Sequence, residues 1–294
     1  EPSAKRPVLF WIHGGGYASG SGMEQICYDG FNLAKDDDVV VVTVNHRLNA
    51  LGYLDLAACG EKYGNSVNVG MADLVEALRW VRDNIACFGG DPDKVTIAGQ
   101  SAGCMSVQAL VSSPLSKGLL RGAILQSGGG LRALHETAQK GQLWDVARRL
   151  MEHLGCETIA QLRQVPWGKL RDAAYAVQGE GLSWTPHVDG WLLPATTDAL
   201  AEAGAIHDIP YMIGSTGNDI GDGKLLQETG ARWCENLPTL GRTPAWFYYF
   251  DRKLPGASAG AFPSRELSYD FATLHPTSPA WAKPHWALPP TPTI

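Results

Sequence analysis

The residues best suited to chemistry lie in the segment Gly-Gln-Ser-Ala-Gly, residues 99–103. A serine between two glycines at this spacing is typical of a nucleophile on a sharp turn from a strand into a helix. The preceding residues 95–98 predict a buried strand, and residues 104–110 predict a helix. The glycines allow the strand and the helix to pack close to Ser101. The turn would expose the Ser101 hydroxyl and direct the N–H of Ala102 towards the reaction centre.

A second motif, His-Gly-Gly-Gly at residues 13–16, follows the apolar run 8–12. Such a run predicts a parallel strand covered on both faces. In lipases and esterases a loop of this kind supplies further N–H donors for the oxyanion of an acyl-transfer reaction. Each such donor contributes roughly 3 kcal/mol to the stability of the transition state. The alternative is a tight glycine-rich turn without chemistry.

The elements that must position these motifs alternate between strands and helices. We predict strands at 8–12, 39–44, 95–98, 122–126, 210–214 and 245–250. Helices are predicted at about 70–87, after Ser101 to about 111, at 138–154 and at 195–203. This alternation predicts an α/β fold whose sheet is mostly parallel with right-handed crossovers.

Several further segments carry a resemblance to a known family. They are residues 11–17, 44–48, 68–81, 84–86, 88–92 and 124–128. Together with the serine motif they resemble the type-B carboxylesterases, which include cholinesterases and bacterial para-nitrobenzyl esterases. The resemblance is dense over residues 8–130 and persists to about 274. It implies an α/β-hydrolase fold, serine ester hydrolysis without a cofactor, and oxyanion donors at Gly15, Gly16 and Ala102. Gln100 departs from the glutamate usual in the family.

A serine nucleophile needs a base and an acid that orients the base. In this fold the chain order is serine, acid, histidine. The loop after the predicted strand 210–214 contains Asp219, which matches the position of the family's triad acid. Capping of the loop by Asp219 or Asp222 is the alternative. Asp208 and Asp189 are less favoured candidates for the acid.

The triad histidine is replaced in this chain. The family carries it in a segment like Ala-Phe-His-Ser-x-Glu-Leu, and residues 261–267 match that segment except that Pro263 stands at the histidine position. Proline has no titratable side chain and cannot serve as a base. His275 and His285 follow Asp219 in the required order, and His275 is the candidate substitute base.

Other polar and aromatic residues have two interpretations each. His13 is expected to fix the oxyanion loop rather than to titrate in catalysis. By the resemblance His187 matches a loop that lines the acyl pocket, with a surface histidine as the alternative. Ser127 resembles a serine close to the triad, and otherwise is a plain strand-end serine. Trp184 and Trp191 either line the acyl pocket or pack in the core.

Composition excludes several classes of function. The chain has 294 residues, of which 45% are hydrophobic and 18% charged, and a net charge of −6. Without a long basic run, nucleic acid and anionic membranes are not expected partners. No apolar run is long enough to span a membrane. The six cysteines lack Cys-x-x-Cys spacing, so we expect no metal site and free thiols, with a disulfide as the alternative.

The predicted domain organisation is one hydrolase domain over 1–275 followed by a proline-rich tail over 276–294. Because the family has further residues before the first predicted strand, we expect the antiparallel strands of its sheet to be lacking and an apolar edge to be exposed. Composition is that of a soluble protein, but it does not distinguish a cytoplasmic from a secreted one or indicate the oligomeric state.

These observations together predict a serine hydrolase that cleaves small carboxylic esters through an acyl-enzyme. Pro263 keeps two alternatives open. One is a non-catalytic α/β-hydrolase module that binds a partner. The other is a shortened or altered form of an active enzyme.

Overall fold

Apolar strands build the central sheet of the protein, which we describe from a computed structural model. The structure describes residues 3–131, 138–139, 141, 143–178, 184–220, 223–252, 264 and 266–271. Its strands are β1 (Arg6–Ile12), β2 (Val40–Thr43), β3 (Gly90–Gln100), β4 (Gly122–Gln126), β5 (Ala138–Gln139), β6 (His187–Val188), β7 (Tyr211–Thr216) and β8 (Ala245–Phe250).

Ten helices accompany these strands in the described ranges, nine of them between strands and one after β8. They are α1 (Phe31–Asp36), α2 (Asn49–Tyr53), α3 (Val69–Asn84), α4 (Ala102–Val111), α5 (Trp144–His153), α6 (Ile159–Leu162), α7 (Trp167–Val177), α8 (Thr197–Glu202), α9 (Lys224–Thr239) and α10 (Leu267–Asp270). Short 3-10 turns occur at Ile26–Asp29, Ala57–Cys59, Glu61–Tyr63, Ser66–Asn68, Ile85–Phe88 and Pro114–Ser116.

The main sheet has the strand order β2-β1-β3-β4-β7-β8, and each of its pairings is parallel. The predicted α/β class and parallel sheet are therefore confirmed. Because the strands are parallel, their carboxyl ends meet at one edge of the sheet. The loops after β1, β3, β4 and β7, which carry the predicted site residues, all begin there.

Alternation along β1 divides the core between the two faces of the sheet. Val8, Phe10 and Ile12 belong to a large cluster that includes the buried residues of α3 and α4. Trp11 faces the other side, where its ring centroid lies 5.0 Å from that of Phe271. Successive side chains of a strand point to opposite faces, so both faces of β1 are covered.

Two predicted elements differ from the structure. The helix predicted over 138–154 begins only at Trp144, and Ala138–Gln139 instead pairs with His187–Val188 as a small parallel sheet. Gly141 interrupts the helical pattern because its φ of +91° lies outside the right-handed region. The strand predicted over 95–98 extends over Gly90–Gln100. Gly90 pairs with Arg6 of β1, and after an irregularity in the register the pairing resumes between Val95 and Val8.

The other predicted strands and helices match the structure within a few residues at each end, whereas α7 and α9 were not predicted. The helix predicted over 70–87 is α3 followed by the 3-10 turn Ile85–Phe88. The predicted boundary between a domain over 1–275 and a tail over 276–294 lies outside the described residues and stays a prediction.

Candidate active site

The turn between β3 and α4 holds Ser101 in a backbone conformation that is unusual for a non-glycine residue. Its φ is 57° and its ψ is −124°. Non-glycine residues in such regions cost about 1–3 kcal/mol and persist where surrounding structure fixes them. Here the Ser101 N–H donates to the carbonyl oxygen of Gln126 on β4 at 2.9 Å. The strained turn predicted from the sequence is therefore present.

The flanking glycines are required by close packing of backbone on backbone. A Cβ added at Gly103 would lie 2.1 Å from the carbonyl oxygen of Ile12, and one added at Gly99 would lie 2.5 Å from the Gly103 backbone. Real side chains do not approach so closely. Any larger residue at either position would push α4 away from the ends of β1 and β3.

The glycine-rich loop after β1 lies beside the serine. A Cβ at Gly14 would be 3.2 Å from the Cβ of Ser101. Gly15 and Gly16 adopt φ values of 110° and 62°, which only glycine reaches without strain. Ala102 is the first residue of α4, so its N–H has no partner within the helix. The three predicted oxyanion donors thus belong to two loops that meet at Ser101.

Two histidines, His13 and His46, lie in contact at the start of the glycine-rich loop. The Nδ1–H of His13 donates to the carbonyl oxygen of Gly14 at 2.7 Å. The His13 ring stacks on His46 with 5.0 Å between the centroids. Burial, together with the neighbouring His13, lowers the pKa of His46 to about 4, so His46 is neutral at pH 7. These contacts agree with the expectation that His13 holds the loop.

The predicted acid lies in the loop that follows β7. Asp219 is buried, and its carboxylate accepts from the N–H of Thr216 at 2.9 Å and from the N–H of Ile220 at 2.8 Å. The Thr216 hydroxyl donates to it at 3.2 Å. This geometry is that of a loop cap at the carboxyl edge of the sheet, so it is compatible with both predicted roles. The role of Asp219 as triad acid stays a prediction.

The less favoured acids have other contacts. Asp208 precedes β7, at the opposite edge of the sheet, and accepts from the N–H of Thr243 at 2.8 Å. Asp189 is buried and caps its own turn by accepting from three backbone N–H groups, those of residues 191–193. Its other oxygen accepts from Asn68 at 2.7 Å. Asp222 lies outside the described residues.

A second strained serine stands next to the first. Ser127, directly after β4, has a φ of 54°, and its N–H donates to Gly214 on β7. A Cβ at Gly128 would lie 2.7 Å from the carbonyl oxygen of Ser101, so the two turns are in contact. The Ser127 hydroxyl donates to Glu266 Oε1 at 3.4 Å. Ser127 is thus close to the nucleophile turn rather than at a remote strand end.

Glu266 is a buried residue near Ser127 for which no role was predicted from the sequence. This side chain is 2% exposed, and its Oε2 has no hydrogen-bond partner in the part of the chain that the structure describes. Burial first, and then the nearby carboxylates of Asp270 and Asp219, together raise its pKa to about 8. Glu266 is therefore protonated at neutral pH. The sequence signal for this residue was its place as the glutamate of the family-like segment 261–267.

The position of the catalytic base is not described. Pro263, His275 and His285 all lie outside the described residues. His187 is buried, and its Nδ1–H donates to the Thr185 carbonyl oxygen at 2.6 Å. Burial lowers the pKa of His187. The alternative of a surface histidine at 187 is therefore wrong.

The two tryptophans of the predicted acyl pocket differ in exposure. Trp184 is buried in the large core cluster, and its indole N–H donates to Gln178 at 3.2 Å. Trp191 is 39% exposed. Trp184 therefore packs in the core, as the alternative predicted.

The described ranges hold neither a metal-ligand cluster nor a membrane-spanning helix. No cluster of three or more potential metal ligands occurs there. None of the described helices has the length and apolar character needed to cross a membrane. All six cysteines are free thiols, so the disulfide alternative is wrong for this structure.

Comparison with known proteins places this arrangement in a family. A family model described as the carboxylesterase family matches residues 1–230, more than half of the chain. The chain belongs to the carboxylesterase family. The resemblance noted in the sequence is thereby confirmed, and the glycine loop and serine turn lie within the matched part.

Two curated relatives of this carboxylesterase-family chain are named as an esterase and a hydrolase. A para-nitrobenzyl esterase of Bacillus subtilis is 39% identical over 223 residues, which cover 73% of this chain and 44% of that protein. A phenmedipham hydrolase of Pseudarthrobacter oxydans is 42% identical over 169 residues, covering 56% of this chain and 31% of that protein. The chain thus spans less than half the length of these curated relatives.

Solved structures of the family share the fold. A carboxylesterase of Geobacillus stearothermophilus superposes with a TM-score of 0.80 at 32% identity, covering 93% of this chain and 67% of that one. A structure of a PNB esterase superposes with a TM-score of 0.81 at 28% identity and covers 95% of this chain. The α/β-hydrolase fold expected from the resemblance is confirmed.

Proposed function

We propose that this chain hydrolyses small carboxylic esters, with Ser101 as the nucleophile. The observation that carries the proposal is the strained Ser101 turn in contact with the glycine-rich loop after β1. A serine in this conformation costs stability, and a binding role would require neither the strain nor the adjacent N–H donors. Ester hydrolysis uses both.

The proposed reaction proceeds in two steps. The Ser101 oxygen attacks the ester carbonyl carbon while a base takes the hydroxyl proton, and the carbonyl oxygen becomes an oxyanion. The N–H groups of Gly15, Gly16 and Ala102 donate to that oxyanion. The alcohol leaves with the proton returned by the base, which yields an acyl-enzyme. Water, deprotonated by the same base, then releases the carboxylic acid and restores the serine.

The proposal assigns the acid to Asp219 and the base to His275. Asp219 is buried at the carboxyl edge of the sheet, where it would accept from an imidazole and stabilise its charged form. His275 follows Asp219 in the chain order of this fold, and Pro263 cannot titrate. No metal or organic cofactor takes part in the proposed steps.

Hydrolysis of a short-chain p-nitrophenyl ester tests this assignment. The variants are Ser101→Ala, His275→Ala and Pro263→His. We expect turnover by the parent chain that is abolished by Ser101→Ala and reduced by orders of magnitude by His275→Ala. If His275→Ala leaves the rate unchanged, His275 is not the base. If only Pro263→His is active, the parent retains the serine site without its base.

Pro263 also favours a second candidate, a non-catalytic binding module of the same fold. A fluorophosphonate probe separates the two functions because it labels only an activated serine. Labelling of the parent that disappears in Ser101→Ala supports the hydrolase. Absence of labelling in the parent supports the binding module.

A further inference from the structure

A second concave surface lies apart from the serine site. It is a cleft of about 520 Å³ between α2, the 3-10 turn Glu61–Tyr63, α6 and α7. Its lining includes no residue of the glycine loop, the Ser101 turn or the Asp219 loop. The volume is within the range of pockets that bind small organic molecules, which is about 300–1,000 Å³.

The floor of this cleft is apolar. Ala50, Leu54 and Leu162 are buried there, and they belong to the large core cluster. Two large apolar side chains stand at the rim, Leu51 with 49% exposure and Trp167 with 68% exposure. Exposed apolar side chains beside a concave apolar floor are typical of a ligand site.

The polar part of the lining is cationic. Arg47, Lys62 and Arg163 line the cleft, and its lining contains no aspartate or glutamate. Arg47 is neutralised by Asp73, which accepts from its Nε at 2.8 Å and its Nη2 at 2.6 Å. Neither Lys62 nor Arg163 forms an ion pair with another described residue. Two positive charges are therefore left for a ligand.

Both of these cations lie near the ring of Tyr63, which also lines the cleft. The Lys62 ammonium nitrogen lies 4.9 Å from the centroid of the Tyr63 ring, and the Arg163 guanidinium carbon lies 6.0 Å from it. Cation–π contacts of this kind hold charged groups near a ring without neutralising them. Two cations from distant parts of the chain thus lie around one ring of the cleft lining.

We propose that this cleft binds a small organic carboxylate with an aromatic or branched aliphatic body. The carboxylate accepts from Lys62 and Arg163, and the apolar body packs on Leu54 and Leu162 against Trp167. A purely inorganic anion would leave the apolar floor unused, and a neutral ligand would leave both charges unused. The proposal does not depend on ester hydrolysis at Ser101.

Calorimetric titration with hydrocinnamate tests the site, with hydrocinnamamide as the uncharged probe of the same shape. The variant Lys62→Gln/Arg163→Gln removes both charges from exposed positions. Lys169→Gln is the matched control, because Lys169 is an exposed cation of α7 that does not line the cleft. We expect the double variant to bind hydrocinnamate about tenfold or more weakly and Lys169→Gln to bind it as the parent does.

The apolar part is tested separately with Trp167→Ala and with acetate. We expect Trp167→Ala to weaken hydrocinnamate binding and acetate to compete poorly with hydrocinnamate. Three results would overturn the proposal: no saturable binding of hydrocinnamate at millimolar concentration, equal binding of the amide, or equal competition by acetate. Circular dichroism and a thermal midpoint for each variant show that it is folded. The variant Ser101→Ala should bind hydrocinnamate with the parental affinity. That result would show that binding at the cleft is independent of the activity at Ser101.

Discussion

Replacement of Gly103 by alanine should both destabilise the protein and disable the serine site. The added Cβ would lie 2.1 Å from the carbonyl oxygen of Ile12 and 2.7 Å from that of His13. Ordinary contact begins at 3.4 Å, so α4 and the end of β1 must separate by about 1.3 Å. Both atoms are backbone and cannot move aside as a flexible side chain would.

The size of the expected loss of stability follows from this overlap. Overpacking of a rigid interior by one methyl group costs about 1–3 kcal/mol, and a clash with backbone on two carbonyls belongs to the upper end. The same separation moves the Ala102 N–H away from the loop of Gly15 and Gly16. A displacement of about 1 Å at a catalytic constellation reduces rate by roughly a hundredfold.

Urea unfolding and labelling by a fluorophosphonate probe measure the two effects. Gly168→Ala is the matched control, because Gly168 is a glycine of α7 with no atom within 4 Å of an added Cβ. We expect that control to be up to ~1 kcal/mol more stable than the parent, since alanine is the better helix former, and to label as the parent does. A Gly103→Ala variant within about 0.5 kcal/mol of the parent would refute the packing argument. Parental labelling by that variant would refute the link between packing and chemistry.

Three further predictions concern strain and buried carboxyl groups. Ser101→Gly should raise the thermal midpoint, because glycine relieves about 1–3 kcal/mol of backbone strain at this position. The substitution removes no helix cap, since the Ser101 side chain accepts from no N–H of α4. Fluorophosphonate labelling should be lost in the same variant. Glu266 binds its proton more tightly folded than unfolded, so the unfolding free energy should fall as pH rises from about 4.5 to 8. In the variant Glu266→Gln this pH-dependent contribution should be absent. Urea unfolding of the parent and the variant across that pH range measures the difference. An equal pH dependence of the two proteins would contradict the raised pKa of Glu266. Asp189→Asn should destabilise the protein by about 2 kcal/mol in urea unfolding, because one oxygen that accepts from Asn68 becomes a donor; an unchanged midpoint would show that this contact contributes little.

Local patterns in the sequence were enough to locate the nucleophile turn and most of the sheet. Ser101 lies between an apolar strand and a helix, and turn chemistry depends on the residues adjacent in the chain. The amphipathic pattern of α3 predicted its buried side, where Leu74, Leu78 and Val81 pack. The same reasoning placed the start of the helix over 138–154 too early, because apolar spacing alone does not reveal that Gly141 adopts a positive φ.

Other features depended on which distant segments meet. Asn68 contacts His187 across 119 positions of the chain, and Ser127 contacts Glu266 across 139. The pKa of Glu266 rises because folding removes its carboxyl group from water, and burial of that kind cannot be seen in the neighbouring residues. Lys62 and Arg163 come together near Tyr63 in the same way, because tertiary packing brings separate segments of the chain to that ring.

The sequence by itself therefore determined the strands of the main sheet, the turn at Ser101 and the chemistry that they could carry. Periodicity and turn residues act over a few positions, so the strand ends that bear Ser101 and Gly15 could be predicted without coordinates. The tertiary structure decided the contacts between those ends, the burial of Glu266 and the core position of Trp184. Close packing and desolvation depend on the whole fold, because every neighbouring atom contributes to them.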